Sequence, residues 1–125
     1  MTMSPDFRDY LLDLLAPLGP VQAKRMFGGG GLYLDGAMFG LIAGDVLYLK
    51  ADDGNRADFE ARGMEPFTYT NKARKKPVQM SYYETPDDVL EDSEALSAWA
   101  GRAWEAARRS GRHKKKKKNK KTAAS

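Results

Sequence analysis

Apolar residues recur along this chain with two periods, and the period changes where turn residues intervene. Phe7, Tyr10, Leu11, Leu14, Leu15 and Leu18 stand at helical spacing, the stripe that an amphipathic helix turns toward a core. Ser4 is placed to cap that helix and Pro5 to occupy its first position, while Gly19-Pro20 stops it. Leu96, Trp99, Ala100, Ala103, Trp104 and Ala107 repeat the pattern near the other end of the chain. Ser93 is the expected cap of this second long helix. Arg108 and Arg109 suit its negative C-terminal end, and Gly111 is the expected stop.

Between the helices the period falls to two. Asp35-Gly36 and Gly44-Asp45 are two-residue turn signals flanked by apolar runs, and such turns suit the twist of an antiparallel hairpin. They predict a meander of strands over residues 31–34, 37–43 and 46–50, with Val21 to Phe27 as an edge strand before it. Two-residue turns pair Leu34 with Ala37, Leu32 with Phe39, Ala43 with Val46 and Leu41 with Tyr48. One face then carries Leu32, Leu34, Phe39, Leu41, Val46 and Tyr48; the other carries Tyr33, Met38, Ile42, Leu47 and Leu49. Both faces are apolar, whereas an antiparallel sheet with one wet face alternates apolar and polar. Both are therefore expected to be covered, by helices on two sides or by a second subunit. A one-residue bulge would swap the two lists without changing that expectation.

Asp52 to Arg62 reads as a short helix that starts on acids and stops at Gly63. Pro66 to Thr70 and Val78 to Tyr83 read as two further strands, joined by the basic loop from Asn71 to Pro77. Thr85-Pro86-Asp87-Asp88 opens a helical turn. The order helix, three or four strands, helix, two strands, helix is that of a two-layer α+β domain with an antiparallel sheet.

Charge redraws this picture at one end. The 125-residue chain carries a net +4, but Arg112, Lys114, Lys115, Lys116, Lys117, Lys118, Lys120 and Lys121 supply eight positives with no acid among residues 112–125. Taking those eight from 21 basic groups leaves 13 against 17 acids, a net −4 for residues 1–111. The body is mildly acidic and the tail alone makes the chain basic. Residues 1–111 form the expected domain and residues 112–125 a polylysine tail, disordered because like charges repel and nothing apolar can be buried.

Candidate chemistry is sparse. The chain has no cysteine, which excludes disulfides, thiolate nucleophiles and zinc–thiolate sites. No apolar run approaches the roughly 20 residues of a membrane helix, and the N-terminus lacks the apolar stretch of a secretory signal, so the cytoplasm is the expected compartment. Gly28 to Gly31 precede a strand and no Gly-Lys-Ser/Thr follows, so they read as tight backbone packing and not as a phosphate cradle. His113, the sole histidine, lies within the lysine run with nothing to orient it as a base. Asp52-Asp53 and Asp87-Asp88 stand where helices begin and read as dipole-stabilising charge. Trp99 and Trp104 share the apolar face of the last helix and read as core. No catalytic, cofactor or metal constellation emerges.

The lysine tail is the strongest functional signal carried by the residues themselves. Lysine runs bind polyanions by releasing counterions, and eight charges imply a log–log salt slope of up to about −7. Such contacts read no base sequence, in DNA or RNA. Lys72, Arg74, Lys75 and Lys76 form the basic cluster of the folded body and are candidates to join the tail on phosphate.

Taken together, Arg25-Met26-Phe27-Gly28-Gly29, Gly31-Leu32-Tyr33, Asp35-Gly36, Met38-Phe39 and Leu47-Tyr48-Leu49-Lys50 resemble the TfoX N-terminal domain family, whose founding members regulate bacterial natural competence. Gly63-Met64-Glu65-Pro66-Phe67, Met80-Ser81-Tyr82-Tyr83 and Trp99 extend the resemblance over roughly residues 4–109. The resemblance implies a secretion-chaperone-like fold, α-β(3)-α-β(2)-α, and no enzyme activity. Family regulators carry a second, helical C-terminal domain where this chain reads polylysine. The chain is therefore expected to be a regulatory module that meets a protein partner through its apolar sheet face. Arg25, Met26 and Phe27 are its candidate partner residues, and the tail adds sequence-independent nucleic-acid affinity. The alternative is a chaperone-like homodimer that binds a peptide or protein client and has no nucleic-acid role.

Overall fold

In the computed structural model, six strands form one antiparallel sheet in the order β1-β2-β3-β4-β6-β5. They are β1 (Gln22–Met26), β2 (Gly29–Leu34), β3 (Ala37–Ala43), β4 (Val46–Lys50), β5 (Pro66–Asn71) and β6 (Lys76–Glu84). The helices are α1 (Pro5–Leu14), α2 (Arg56–Glu60), α3 (Asp87–Leu90) and α4 (Ser93–Ala124), with a short 3-10 turn at Ala16–Leu18. The structure describes residues 3–26, 28–71 and 76–124; the side chains of residues 70, 71, 76 and 112–124 lie outside that description.

Local chemistry explains most of these boundaries. The Ser4 hydroxyl accepts the Phe7 amide at 3.2 Å, and Pro5 follows at the first helical position, as expected for the start of α1. Asp35, Gly36, Gly44 and Asp45 all hold positive φ, so the β2–β3 and β3–β4 connections are the two-residue turns that Asp-Gly and Gly-Asp signal. The edge strand before the glycine run is β1, at one end of the sheet.

Four details differ from expectation. First, Leu32 pairs with Gly40 while Tyr33 pairs with Met38, so Phe39 is an extra residue in β3. This bulge rotates the strand by one face. Phe39 therefore joins Leu32, Leu34, Ile42, Leu47 and Leu49 in the core, and Leu41 moves to the opposite side. Second, the helix expected from Asp52 begins only at Arg56. The buried Asn55 side chain accepts the Asp52 amide at 2.8 Å and donates to the Lys50 carbonyl at 3.0 Å, holding residues 52–55 in a turn.

Third, Asp92 and not Ser93 caps α4. Its carboxylate accepts the Glu94 amide at 3.1 Å, whereas the Ser93 hydroxyl donates to the Leu14 carbonyl at 2.7 Å and ties α4 to α1. Fourth, α4 runs through Gly111 to Ala124. A single helix-interior glycine costs only about 1 kcal/mol relative to alanine, and no proline follows to break the ladder.

The core lies on one side of the sheet. Leu11 and Leu15, Phe59 of α2, Val89 of α3, and Leu96, Ala100 and Ala103 of α4 all pack with the buried sheet residues. Phe59 meets Trp99 edge-on at 5.0 Å and Tyr83 at 5.5 Å, and Trp104 donates its indole N–H to the Leu34 carbonyl at 2.8 Å. The two tryptophans are thus packing residues, with Arg102 over Trp99 and Arg108 over Trp104 on their outer faces. Among the described residues no helix covers the other face of the sheet, so helices do not reach both sides.

Candidate partner groove on the open face of the sheet

The uncovered face carries the residues that alternate with the core. Met26 of β1, Met38 and Leu41 of β3, Phe67 and Tyr69 of β5, and Met80 of β6 line one groove of about 310 Å³. Met26 and Tyr69 belong to opposite edge strands, so the sheet curls across this face and the groove crosses the strands. Its bed is held by specific contacts. The Tyr82 hydroxyl donates to the Met38 carbonyl at 3.3 Å, and burial, with a smaller contribution from Tyr33, pushes its pKa up to about 12. Tyr48 meets Phe67 edge-on at 5.0 Å, and burial followed by the charge of Glu84 raises its pKa as well. Tyr69 is 41% exposed, a large aromatic turned to solvent at the groove wall.

The glycine run makes this shape possible. A Cβ on Gly31 would stand 3.0 Å from the sulfurs of both Met26 and Met38, and one on Gly29 would stand 2.1 Å from the Ile42 carbonyl oxygen. Glycine at these positions lets neighbouring strands and the methionine side chains close over the backbone, the packing role expected for this stretch.

A second concavity of about 680 Å³ lies where α4 passes the β4–α2 connection, lined by Lys50, Asp52, Asp53, Arg56, Ser81 and Arg109. Arg109 grips Asp52 with two parallel bonds of 2.7 and 2.8 Å. The guanidinium bond, aided by the Gly54 amide, holds the Asp52 carboxyl below its ordinary range against the opposing effect of burial. Asp52 therefore does more than start a helix. Asp53 pairs with Arg56 at 2.8 Å, and Asp88 at the start of α3 pairs with Arg62. Among the described residues no group of three or more His, Cys, Asp or Glu gathers to hold a metal ion, and no helix is long and apolar enough to cross a membrane.

The family model for the TfoX N-terminal domain matches residues 13–107, three-quarters of the chain and nearly all of the sheet-and-helix body. The chain belongs to this family. It is also similar to the DNA transformation protein TfoX1 of Aliivibrio fischeri (strain ATCC 700601 / ES114), with 30% identity over 102 residues. That alignment covers 82% of this chain and 48% of the relative, so the chain spans about half the length of the curated relative it matches. TfoX N-terminal domains form a regulatory, non-catalytic family.

The expected site residues are distributed unevenly over this frame. Met26 lines the groove, whereas Arg25 is exposed on the same edge strand and alternates toward the other side. Phe27, Lys72, Arg74 and Lys75 lie outside the described residues. Lys76 opens β6, and Lys114, Lys115, Lys116, Lys117, Lys118, Lys120 and Lys121 lie along the backbone of α4; their side chains, like that of His113, are outside the description. Met38, Leu41, Phe67, Tyr69 and Met80 were legible only as apolar strand positions. The signal that announces them is the two-sided apolarity of the sheet, which says that a face needs a cover without saying which residues meet there.

Proposed function

We propose that this cytoplasmic chain is a regulatory interaction module that binds a protein partner through the groove on the open face of its sheet. The observation that carries this reading is the distribution of cover: four helices seal one face, and the other presents a curled apolar groove. Exposed apolar surface gathered into one concave patch is what a contact surface requires. Membership of a regulatory family supports the same reading. The polylysine segment adds sequence-independent affinity for DNA or RNA, so that the body selects the partner and the tail holds the pair near a polyanion.

The tail's part is tested by fluorescence anisotropy of labelled duplex DNA across a salt series, comparing the full chain with a variant carrying glutamine at residues 114–118, 120 and 121. Binding that disappears in the variant, with a steep salt slope in the parent, is the expected result. Equal binding by both removes the tail's role and moves attention to Lys72, Arg74, Lys75 and Lys76. A homodimer closed over the open face is the rival reading, motivated by the same uncovered groove. Light scattering that shows a monomer across the micromolar range removes it.

A further inference from the structure

The charge around the groove differs from the charge of the rest of the body, and from this we infer that its occupant is an acidic amphipathic helix of a partner protein. The inference rests on the proposed contact through this face. Between Asp13 and Asp52 the only acids are Asp35 and Asp45, both at turns, while Lys24, Arg25 and Lys50 lie on strands. Residues 66–83 contain no acid at all, and the link from β5 to β6 reads Lys72-Ala73-Arg74-Lys75 ahead of Lys76. Those two strands carry Phe67, Tyr69 and Met80, three of the nine residues that line the groove. On the open face itself Lys24 lies over the Tyr33 ring at 4.9 Å and Lys50 over the Tyr82 ring at 5.3 Å. The acids collect mainly on the helical layer: Asp6, Asp9 and Asp13 in α1, Asp58 and Glu60 in α2, Asp87 and Asp88 in α3, with Glu84 at the end of β6, beside Tyr48, the exception on the open side. An apolar groove set in a basic surround is complementary to an apolar stripe flanked by carboxylates. A second copy of the same face would set basic surround against basic surround.

The shape of the groove chooses between a helix and an extended peptide. The groove crosses the strands, and β2, β3, β4 and β6 are already paired on both sides, so no backbone edge is offered along its bed. Its lining is apolar and supplies no partners for peptide N–H and C=O groups. An extended segment would bury those groups unsatisfied, whereas a helix satisfies its own and presents only side chains. Three methionines in the lining give the wall flexible, polarisable side chains that adapt to such a stripe.

The test begins with a displayed library of helical peptides, apolar at i, i+3, i+4 and i+7, with Glu, Lys and Gln randomised elsewhere. It is selected against the full chain in the presence of heparin to occupy the tail. The winning peptide is then titrated into full-length protein labelled with ¹³C at the methionine methyls. Glu-rich winners are expected, shifting Met26, Met38 and Met80 while the core-packed Met3 and Met64 stay in place. M80E is expected to weaken the winner at least tenfold, M80L to retain it, and unshifted Met3 and Met64 methyls show that both variants keep the fold. Lys-rich or charge-indifferent winners on the same methyls overturn the acidic helix but leave the contact face standing. A free protein that is dimeric, with the three groove methyls already protected, assigns the face to a second copy and likewise overturns the inference. Shifts of these methyls by duplex DNA would assign it to nucleic acid. No winner and a monomer with exposed groove methyls overturn both the inference and the contact reading beneath it.

Discussion

Phe39 and Leu41 stand two residues apart on one strand, yet one is sealed beneath the helices and the other lines an open groove. Regular alternation would place them on the same face. The bulge at Phe39 separates them, and with that one extra residue the strongest apolar residues of β3 and β4 divide into two sets with different work. The covered set (Phe39, Ile42, Leu47 and Leu49) is wholly buried and stabilises the fold. The open set (Met38, Leu41, Tyr48) is half-buried by its own neighbours and keeps apolar surface in reserve. Two faces of similar composition thus differ in what removing an apolar side chain should do.

The largest contrast is expected between F39A and L41A. Truncating a fully buried phenylalanine costs about 3–5 kcal/mol, because the cavity cannot collapse, whereas Leu41 faces a groove that solvent already enters and should cost less than about 1.5 kcal/mol. Chemical denaturation of the two variants checks this, and equal losses would mean that the open face is covered in solution. The glycines give the next contrast. G29A drives a methyl into the Ile42 carbonyl, a rigid neighbour, and should cost about 1–3 kcal/mol. G31A meets the mobile ends of Met26 and Met38 and the edge of the Tyr33 ring, side chains that can shift, and should stay within about 1 kcal/mol, while lowering affinity for whatever enters the groove.

A smaller effect is expected where α4 is fastened beside the β4–α2 connection. Because the folded state lowers the pKa of Asp52, its pairing with Arg109 stabilises the protein above the ordinary carboxylate pKa and is lost as pH falls through the lowered folded value. D52N should therefore cost about 0.5–1 kcal/mol near neutrality, at the upper end for a solvent-screened pair, and nothing once the carboxyl of the parent is protonated. Unfolding midpoints of parent and variant, measured from pH 7 downward, should converge in strong acid.

The finest discrimination lies in the bed of the groove. Tyr82 should ionise at about 12, above the ordinary tyrosine value of about 10, in an alkaline titration followed by ultraviolet absorbance. Since its folded pKa lies above its unfolded one, its contribution is fully present below the unfolded pKa of about 10 and fades as pH rises through the folded value. Ionisation of Tyr82 near the ordinary value of about 10 would show that the bed of the groove is open to water and that Tyr82 does not hold Met38 in place.

Much of this fold was legible because it rests on local chemistry. The α1 cap at Ser4, the stripes of α1 and α4, both two-residue turns and the strand pair on either side of each turn follow from residue types a few positions apart. The family likeness was also readable, from the run Arg25 to Gly29 through the hairpin to Trp99. The exceptions share a cause. Ser93 looks like a cap, but the Leu14 carbonyl draws its hydroxyl away, and Asp52 looks like a helix start, but Arg109, 57 positions along, claims its carboxylate. In both cases a distant partner outcompeted the local one.

The amphipathic patterns thus determined the elements, their order and the fact that two sheet faces are apolar, because hydrophobic periodicity and turn geometry act over a few residues. Which side the helices cover, that β3 slips by one residue at Phe39, and that Met26 on one edge strand and Tyr69 on the other line one groove were decided only by the tertiary structure. Those outcomes depend on register and curl summed over six strands, and no short stretch of sequence carries that sum.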